Sequence, residues 1–142
     1  MPRFLLDVNV LVARSLPNHQ HHGLAASWFV ADRDWATTPM TESAYVRLLS
    51  NPRVAGFGIT PSQARDAVVQ MRQSDRHAFV PDDSSLADPA VDVTRMAGTK
   101  QVTDFHLLNL AARHALVLLT LDAAFARSVA PADRQHVSVL AD

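Results

Sequence analysis

The sequence predicts an α/β protein in which a central, mostly parallel sheet is covered by helices on both faces. Three observations support this fold class. Short apolar segments alternate with helical ones along almost the whole chain. The first of these, residues 4–6, is continuously apolar rather than alternating, as in a strand that is buried on both faces. The chain has 142 residues, of which 48% are hydrophobic, so we expect residues 1–142 to form a single compact domain.

Strands are expected where a short apolar segment is bounded by turn-forming or charged residues. The clearest case is residues 117–121, which are apolar except for Thr120 and stop at Asp122. The segments predicted as strands are residues 4–6, 35–38, 78–80, 117–121 and 137–140.

Helices are expected between these strands, and local signals mark several of their ends. Thr60, Pro61 and Gln63 form a helix start, in which Thr60 is the N-cap, Pro61 lies in the first turn and Gln63 closes a capping box. Gly98 is a natural stop for a short helix before it. The predicted helices are residues 8–13, 22–31, 41–49, 61–73, 91–96 and 103–114.

Composition limits the kinds of site and partner that the chain can have. There is no cysteine, which excludes disulfides and thiolate metal sites. The formal net charge is −1, so nucleic-acid binding has to come from a local patch, a metal ion or a groove between subunits. The apolar run at residues 4–6 is too short for a signal peptide or a membrane span. We therefore expect a cytoplasmic protein without membrane attachment.

Four acidic residues are predicted to meet at one edge of the sheet. Asp7 and Asp122 directly follow the first and fourth predicted strands. Both therefore leave the sheet at its carboxyl edge, where ligands bind in parallel α/β folds. Asp104 starts the last long helix, and Glu42 lies in the first turn of the helix after the second strand. Glu42 is the only glutamate in the chain.

Each acid also has a purely structural interpretation. Asp104 and Glu42 are favourable at helix N-termini through capping and the helix dipole, and an aspartate after a strand is a common turn former. Asp7 and Asp122, however, end predicted interior strands, where an unused charge is unfavourable. Clustered carboxylates raise one another's pKa unless a cation neutralises them. Without cysteine or paired histidines, such a cluster favours Mg²⁺ or Mn²⁺ and hydrolysis of phosphodiesters or phosphate esters by activated water.

Four short motifs, in order along the chain, resemble those of PIN-domain nucleases of the VapC toxin type. They are LLDVNVL at residues 5–11, TES at 41–43, QVTD at 101–104 and LTLD at 119–122. The third is followed by an apolar helical stretch, and the fourth has Phe125 behind it. The resemblance therefore covers nearly the whole chain.

The resemblance implies a three-layer α/β/α fold and a Mg²⁺- or Mn²⁺-dependent endoribonuclease, the toxin of a bacterial toxin–antitoxin pair. It implies a homodimer, an RNA substrate and a VapB-like antitoxin as partner. Asp7 and Asp104 would be the principal metal ligands. Glu42 and Asp122 would complete the catalytic pocket by binding a second ion or orienting the attacking water. The residues that would support this site by hydrogen bonding are Asn9, Thr103 and Thr120.

One position departs from the family pattern. Ala123 and Ala124 follow Asp122, where some PIN nucleases place a further acid, and this disfavours a stable two-metal arrangement. The resemblance identifies neither the RNA that is cut nor the residues that bind it. Basic residues that the fold would place near an acidic motif are candidates for RNA contact: Arg47, Arg53 and Lys100.

Two other functions remain as alternatives. A phosphatase of the haloacid dehalogenase type uses an aspartate after a strand as nucleophile, but it requires a second aspartate two residues later, where this chain has Asn9. A non-catalytic PIN-like binding module would use the acids only as caps and turns. The three functions are separable in solution, because a phosphatase releases phosphate from small esters, a nuclease cuts RNA and a binding module does neither.

Overall fold

Five short strands form one sheet in the computed structural model, which describes residues 3–141. Met1, Pro2 and Asp142, the ends of the predicted domain, lie outside the described residues. The strands stand in the order β3-β2-β1-β4-β5, and each neighbouring pair is parallel. Their bounds are Phe4–Leu6 (β1), Trp35–Thr37 (β2), His77–Phe79 (β3), Val117–Thr120 (β4) and Val137–Val139 (β5).

Helices connect these strands and cover the sheet. The described chain has seven α-helices and one 3₁₀ helix, Pro131–His136. Within residues 3–141, no helix is both long and apolar enough to cross a membrane. The α-helices are Val8–Ser15 (α1), His22–Val30 (α2), Pro39–Leu49 (α3), Pro52–Ala55 (α4), Pro61–Met71 (α5), Gln101–Arg113 (α6) and Ala123–Ser128 (α7).

The sheet has a separate apolar core on each face, because successive side chains of a strand point to opposite sides. Leu6 and its register partner Leu119 pack with residues of α1 to α5. Leu5 and its partner Leu118 pack on the other side, with residues of α6 and α7. The predicted three-layer α/β/α fold with a parallel central sheet is therefore confirmed.

The predicted helix over residues 91–96 is wrong. Asp92 accepts hydrogen bonds from the backbone N–H and the hydroxyl of Thr94, at 2.9 and 2.5 Å. This local side-chain turn competes with helical hydrogen bonding. The segment is instead held to α6 through buried Asn109, which accepts the Ala90 N–H at 2.6 Å and donates to the Ser85 carbonyl at 3.1 Å. Val91 is thus buried without belonging to a helix.

Several element boundaries also differ from the prediction. Helix α3 begins at Pro39 rather than at residue 41, since proline is well tolerated in a first helical turn. Helix α6 begins at Gln101 rather than at residue 103, and β3 lies one residue earlier than predicted. Helices α4 and α7 and the 3₁₀ helix are too short to produce a periodic apolar pattern and were not predicted. The capping box of α5 is confirmed, with Thr60 and Gln63 exchanging bonds of 2.9 and 3.1 Å.

Candidate active site

Asp7 is a buried carboxylate at the carboxyl end of the central strand. Only 5% of the residue is exposed, and its backbone N–H donates to the Leu119 carbonyl at 2.9 Å, which continues the pairing of β1 with β4. The Thr120 hydroxyl donates to Asp7 Oδ2 at 2.8 Å. Burial raises the pKa of Asp7 above its usual range, and the Thr120 bond only partly opposes this effect. The fold therefore holds a costly charge in place at this position.

The Thr120 hydroxyl joins three parts of the site. Besides donating to Asp7, it accepts the side-chain N–H of Asn9 at 3.2 Å and the backbone N–H of Asp122 at 3.1 Å. A hydroxyl has one proton and two lone pairs, so its hydrogen-bonding capacity is fully used. Asn9 Oδ1 in turn accepts the Leu121 N–H at 3.2 Å. This network fixes the start of α1 against the end of β4 and sets the direction of both aspartates.

Asp104 and Asp122 share the electrostatic environment of Asp7. Asp104 lies half-buried in the first turn of α6, and its pKa is raised to about 6, mainly by burial and then by the negative charges of Asp7 and Asp122. Asp122 is exposed and caps α7 by accepting the Phe125 N–H at 2.9 Å. The negative charges of three of the four predicted acids therefore repel one another at the carboxyl edge of β1 and β4.

Glu42 has a different set of contacts. Its Oε2 accepts a hydrogen bond from the Thr37 hydroxyl at 2.6 Å, and its Oε1 lies 3.6 Å from Arg72 Nη1. These partners are the last residue of β2 and the residue that follows α5. Thr103, which was predicted to support the site, is exposed and makes no side-chain hydrogen bond within residues 3–141.

A histidine that the sequence did not single out completes the surroundings of Glu42. His77 Nε2 lies 2.7 Å from Thr37 Oγ1, and the pKa of His77 is lowered to about 4 by burial and by the charges of Arg72 and Arg3. The imidazole is therefore neutral at pH 7. Since the single Thr37 proton goes to Glu42, Nε2 of His77 has to be the protonated nitrogen that donates to Thr37. No motif signals the part played by His77, because it reaches Thr37 only through the pairing of β2 with β3.

The donor set is suited to a hard divalent cation. It consists of carboxylates with hydroxyl and amide groups behind them, which is the chemistry that Mg²⁺ and Mn²⁺ prefer. The pKa of Asp104 is raised first by burial and then by the negative charges of Asp7 and Asp122, and a cation here would relieve the part that comes from repulsion. No three acidic, histidine or cysteine side chains within residues 3–141 surround a common point. An ion here would therefore complete its coordination shell with water, as Mg²⁺ commonly does.

Comparisons with known proteins agree with this architecture. The family model of the PIN domain matches residues 4–130. Ribonuclease VapC38 of Mycobacterium tuberculosis is 45% identical over 84% of both chains. Ribonuclease VapC39 of the same organism is 45% identical over 87% of this chain and 91% of its own. Ribonuclease VapC44, also from that organism, is 35% identical over 97% of this chain and 99% of its own. The chain therefore belongs to the PIN domain family, in its VapC branch.

Proposed function

We propose that this protein is a divalent-metal-dependent endoribonuclease and the toxin of a toxin–antitoxin pair. The observation that carries the proposal is the buried Asp7, whose charge acts together with those of Asp104 and Asp122 at one edge of a VapC-type domain. The names of the relatives, which are ribonucleases, support the choice of RNA as substrate.

The proposed metal ligands are Asp7 and Asp104, with Asp122 beside them. A bound Mg²⁺ or Mn²⁺ would offset charge on the scissile phosphate and make the attacking water more acidic. Thr120 holds Oδ2 of Asp7 in place, and Asn9 holds Thr120, so the ligand geometry is set before the ion arrives. Such preorganisation lowers the cost of binding the ion, because the carboxylate does not have to be ordered first.

Asp122 and Glu42 are proposed to orient the attacking water and to accept its proton on a carboxylate oxygen. Asp122 is exposed and therefore available to solvent. Glu42 can join it only after leaving Arg72, and that ion pair is long, at 3.6 Å, with 43% of the arginine side chain exposed. The Glu42 side chain is only 15% exposed, so the pair is partly buried, but its length and the exposure of Arg72 keep it weak. Thr103 would contribute only if RNA or a partner covers it.

We also propose a homodimer and a VapB-like antitoxin as partners of this chain. The acidic pocket favours a basic side chain of the antitoxin, because a cation placed beside Asp7 and Asp104 relieves the same repulsion as the metal ion. Such an inhibitor would compete with the ion for the carboxylates. The phosphatase alternative has lost its support, since the chain belongs to another family and Asn9 is engaged in two structural hydrogen bonds.

Cleavage of RNA by the purified, partner-free protein tests the proposal. Total cellular RNA is incubated with the protein in Mg²⁺, in Mn²⁺ or in EDTA, and discrete fragments are expected only with a metal ion. Asp7→Asn and Asp104→Asn should abolish cleavage, whereas Asp66→Asn should retain it, because the Asp66 side chain is 67% exposed on α5. If folded protein cuts no RNA with either metal, the non-catalytic binding module becomes the better interpretation. Cleavage that survives EDTA and both substitutions would place the activity elsewhere.

A further inference from the structure

A groove lies next to Glu42, between α3 and α5. Its volume is about 630 Å³. One wall is the face of α3 that carries Val46 and Arg47. The other is formed by Arg65 and Val68, three residues apart on α5, and by Arg72 directly after that helix. Phe79, the last residue of β3, closes one end. Of the residues that line the groove, only Glu42 is also assigned a role in the proposed metal pocket.

The charges of the groove favour an anionic ligand. Its lining contains three arginines, Arg47, Arg65 and Arg72, and a single acid, Glu42, in a chain whose formal net charge is −1. Arg65 lies 3.6 Å from Asp66 outside the groove, but both side chains are about two-thirds exposed, so this pair is weak. Six of the eleven lining residues are polar or charged. Guanidinium groups suit phosphates, because their planar fork can donate two parallel hydrogen bonds.

Phe79 adds a flat apolar surface to this basic groove. The residue is 41% exposed, and the guanidinium carbon of Arg72 lies 4.4 Å from the centre of its ring. Exposed aromatic rings flanked by arginine are the surfaces on which unpaired bases stack. Phe79 ends β3, which is two strands away from β1, so it lies about 10 Å from the strand that leads into Asp7. That separation is short enough for one RNA strand to contact both places.

We propose that this groove is a subsite for a single-stranded segment of RNA, in which one base stacks on Phe79 and the neighbouring phosphates meet Arg47 and Arg65. The inference rests on the proposed ribonuclease function and names the part of the chain that positions its substrate. Binding of the phosphates also draws Arg72 away from Glu42, because a phosphate competes with the carboxylate for the guanidinium. The groove would thereby release Glu42 for the pocket when RNA is present.

RNA binding without cleavage tests this subsite. Asp7→Asn protein in EDTA is titrated against a fluorescein-labelled single-stranded oligoadenylate, and its affinity is measured by fluorescence anisotropy at several salt concentrations. Phe79→Ala should weaken binding roughly tenfold, as expected for the loss of one stacked base. The double variant Arg47→Gln/Arg65→Gln should reduce the slope of log affinity against log salt concentration by about 1.4. Phe79→Tyr should bind normally, since it keeps a stacking ring.

Two control variants remove an aromatic ring or one positive charge outside the groove. Phe57→Ala deletes an aromatic residue that is 54% exposed but lies outside the groove. Arg33→Gln removes one charge just before β2, at the opposite edge of the sheet. Both controls should bind RNA as the Asp7→Asn parent does. Circular dichroism of each variant verifies the fold.

Each contrary result identifies what has failed. If the groove variants and the controls bind equally well while unsubstituted protein cuts RNA with Mg²⁺, the subsite is wrong and the ribonuclease proposal stands. If the groove variants change the sedimentation of the protein but not its RNA affinity, the groove is an interface between copies and the subsite is again wrong. If the unsubstituted protein cuts no RNA, the ribonuclease proposal fails on that separate assay.

Discussion

Replacing Asp7 by asparagine should stabilise the metal-free protein above pH 6 while destroying its activity. Asp7 is buried with a raised pKa, and its charge raises the pKa of Asp104. The folded state therefore binds protons more tightly than the unfolded state at these carboxyls. Its stability is greatest when they are protonated and falls as the pH rises from 3.8 through about 6. An asparagine side chain at this position would carry no charge, and its amide oxygen could still accept the Thr120 hydrogen bond.

The size of the effect follows from the pKa of Asp104. That pKa rises from 3.8 to about 6, and each unit is worth about 1.36 kcal/mol. Because burial is the largest cause of the rise, Asp122 contributes to it and Asp104 is only half-buried, the share that Asp7→Asn can relieve is discounted to about 1 kcal/mol. Asp7→Asn also removes the cost of burying the Asp7 charge itself, which further stabilises the variant. We expect the free energy of unfolding at pH 8 in EDTA to increase by that amount.

Urea unfolding followed by circular dichroism measures this gain. Unsubstituted protein, Asp7→Asn and the exposed control Asp66→Asn are compared in EDTA at pH 8 and pH 4.5. The gain of Asp7→Asn should be present at pH 8 and largely lost at pH 4.5, while Asp66→Asn should stay within about 0.5 kcal/mol of the parent at both. A variant that is less stable than the parent at pH 8, or equally shifted at both pH values, would show that charge repulsion at Asp7 does not destabilise the fold.

Two further predictions concern the hydrogen bonds around the site. Thr120→Val should lower the free energy of unfolding by about 1–3 kcal/mol and reduce RNA cleavage, because it leaves Asp7, Asn9 and the Asp122 N–H without their shared partner. Thr120→Ser keeps the hydroxyl and should retain most of the stability and most of the RNA cleavage. If urea unfolding and cleavage assays show equal losses in the two variants, the hydroxyl does not have this role. The pKa of His77 is lowered to about 4, so on acidification the unfolded protein binds a proton at this residue before the folded protein does. His77 therefore lowers the free energy of unfolding as the pH falls from 6.5 through 4. The stability advantage of the parent over His77→Gln should shrink by about 1–2 kcal/mol between pH 7 and pH 4.5 after discounting for partial exposure, and an advantage that is constant with pH in urea titrations would show that His77 titrates normally.

Much of the fold and part of the site were predictable because they depend on local patterns. Continuous apolar runs that stop at Asp7 and Asp122 mark strands buried on both faces, and parallel pairing then brings their ends together. The position of Asp104 at a helix start was predictable from its flanking residues in the same way. These features need only short stretches of sequence and one rule about sheet edges.

The remaining features depend on contacts between distant segments. Glu42 lies in the first turn of the helix after β2, as predicted, but its contact with Arg72 depends on how α5 packs against α3. His77 joins them through the register of β2 with β3, which no local pattern specifies. The helix predicted over residues 91–96 failed because a side-chain turn at Asp92 outcompeted a weak apolar periodicity.

If Asp7 and Asp104 belong to one metal site, both must contribute to the affinity of the protein for Mn²⁺. Isothermal titration calorimetry at pH 7.5 compares the partner-free protein with Asp7→Asn, Asp104→Asn and Asp66→Asn. We expect one bound ion per chain in the parent and in Asp66→Asn, and loss of that binding in both site variants. Equal Mn²⁺ affinity in all four proteins would contradict the shared site, because the carboxylates that repel one another at this edge would then have no part in binding the ion.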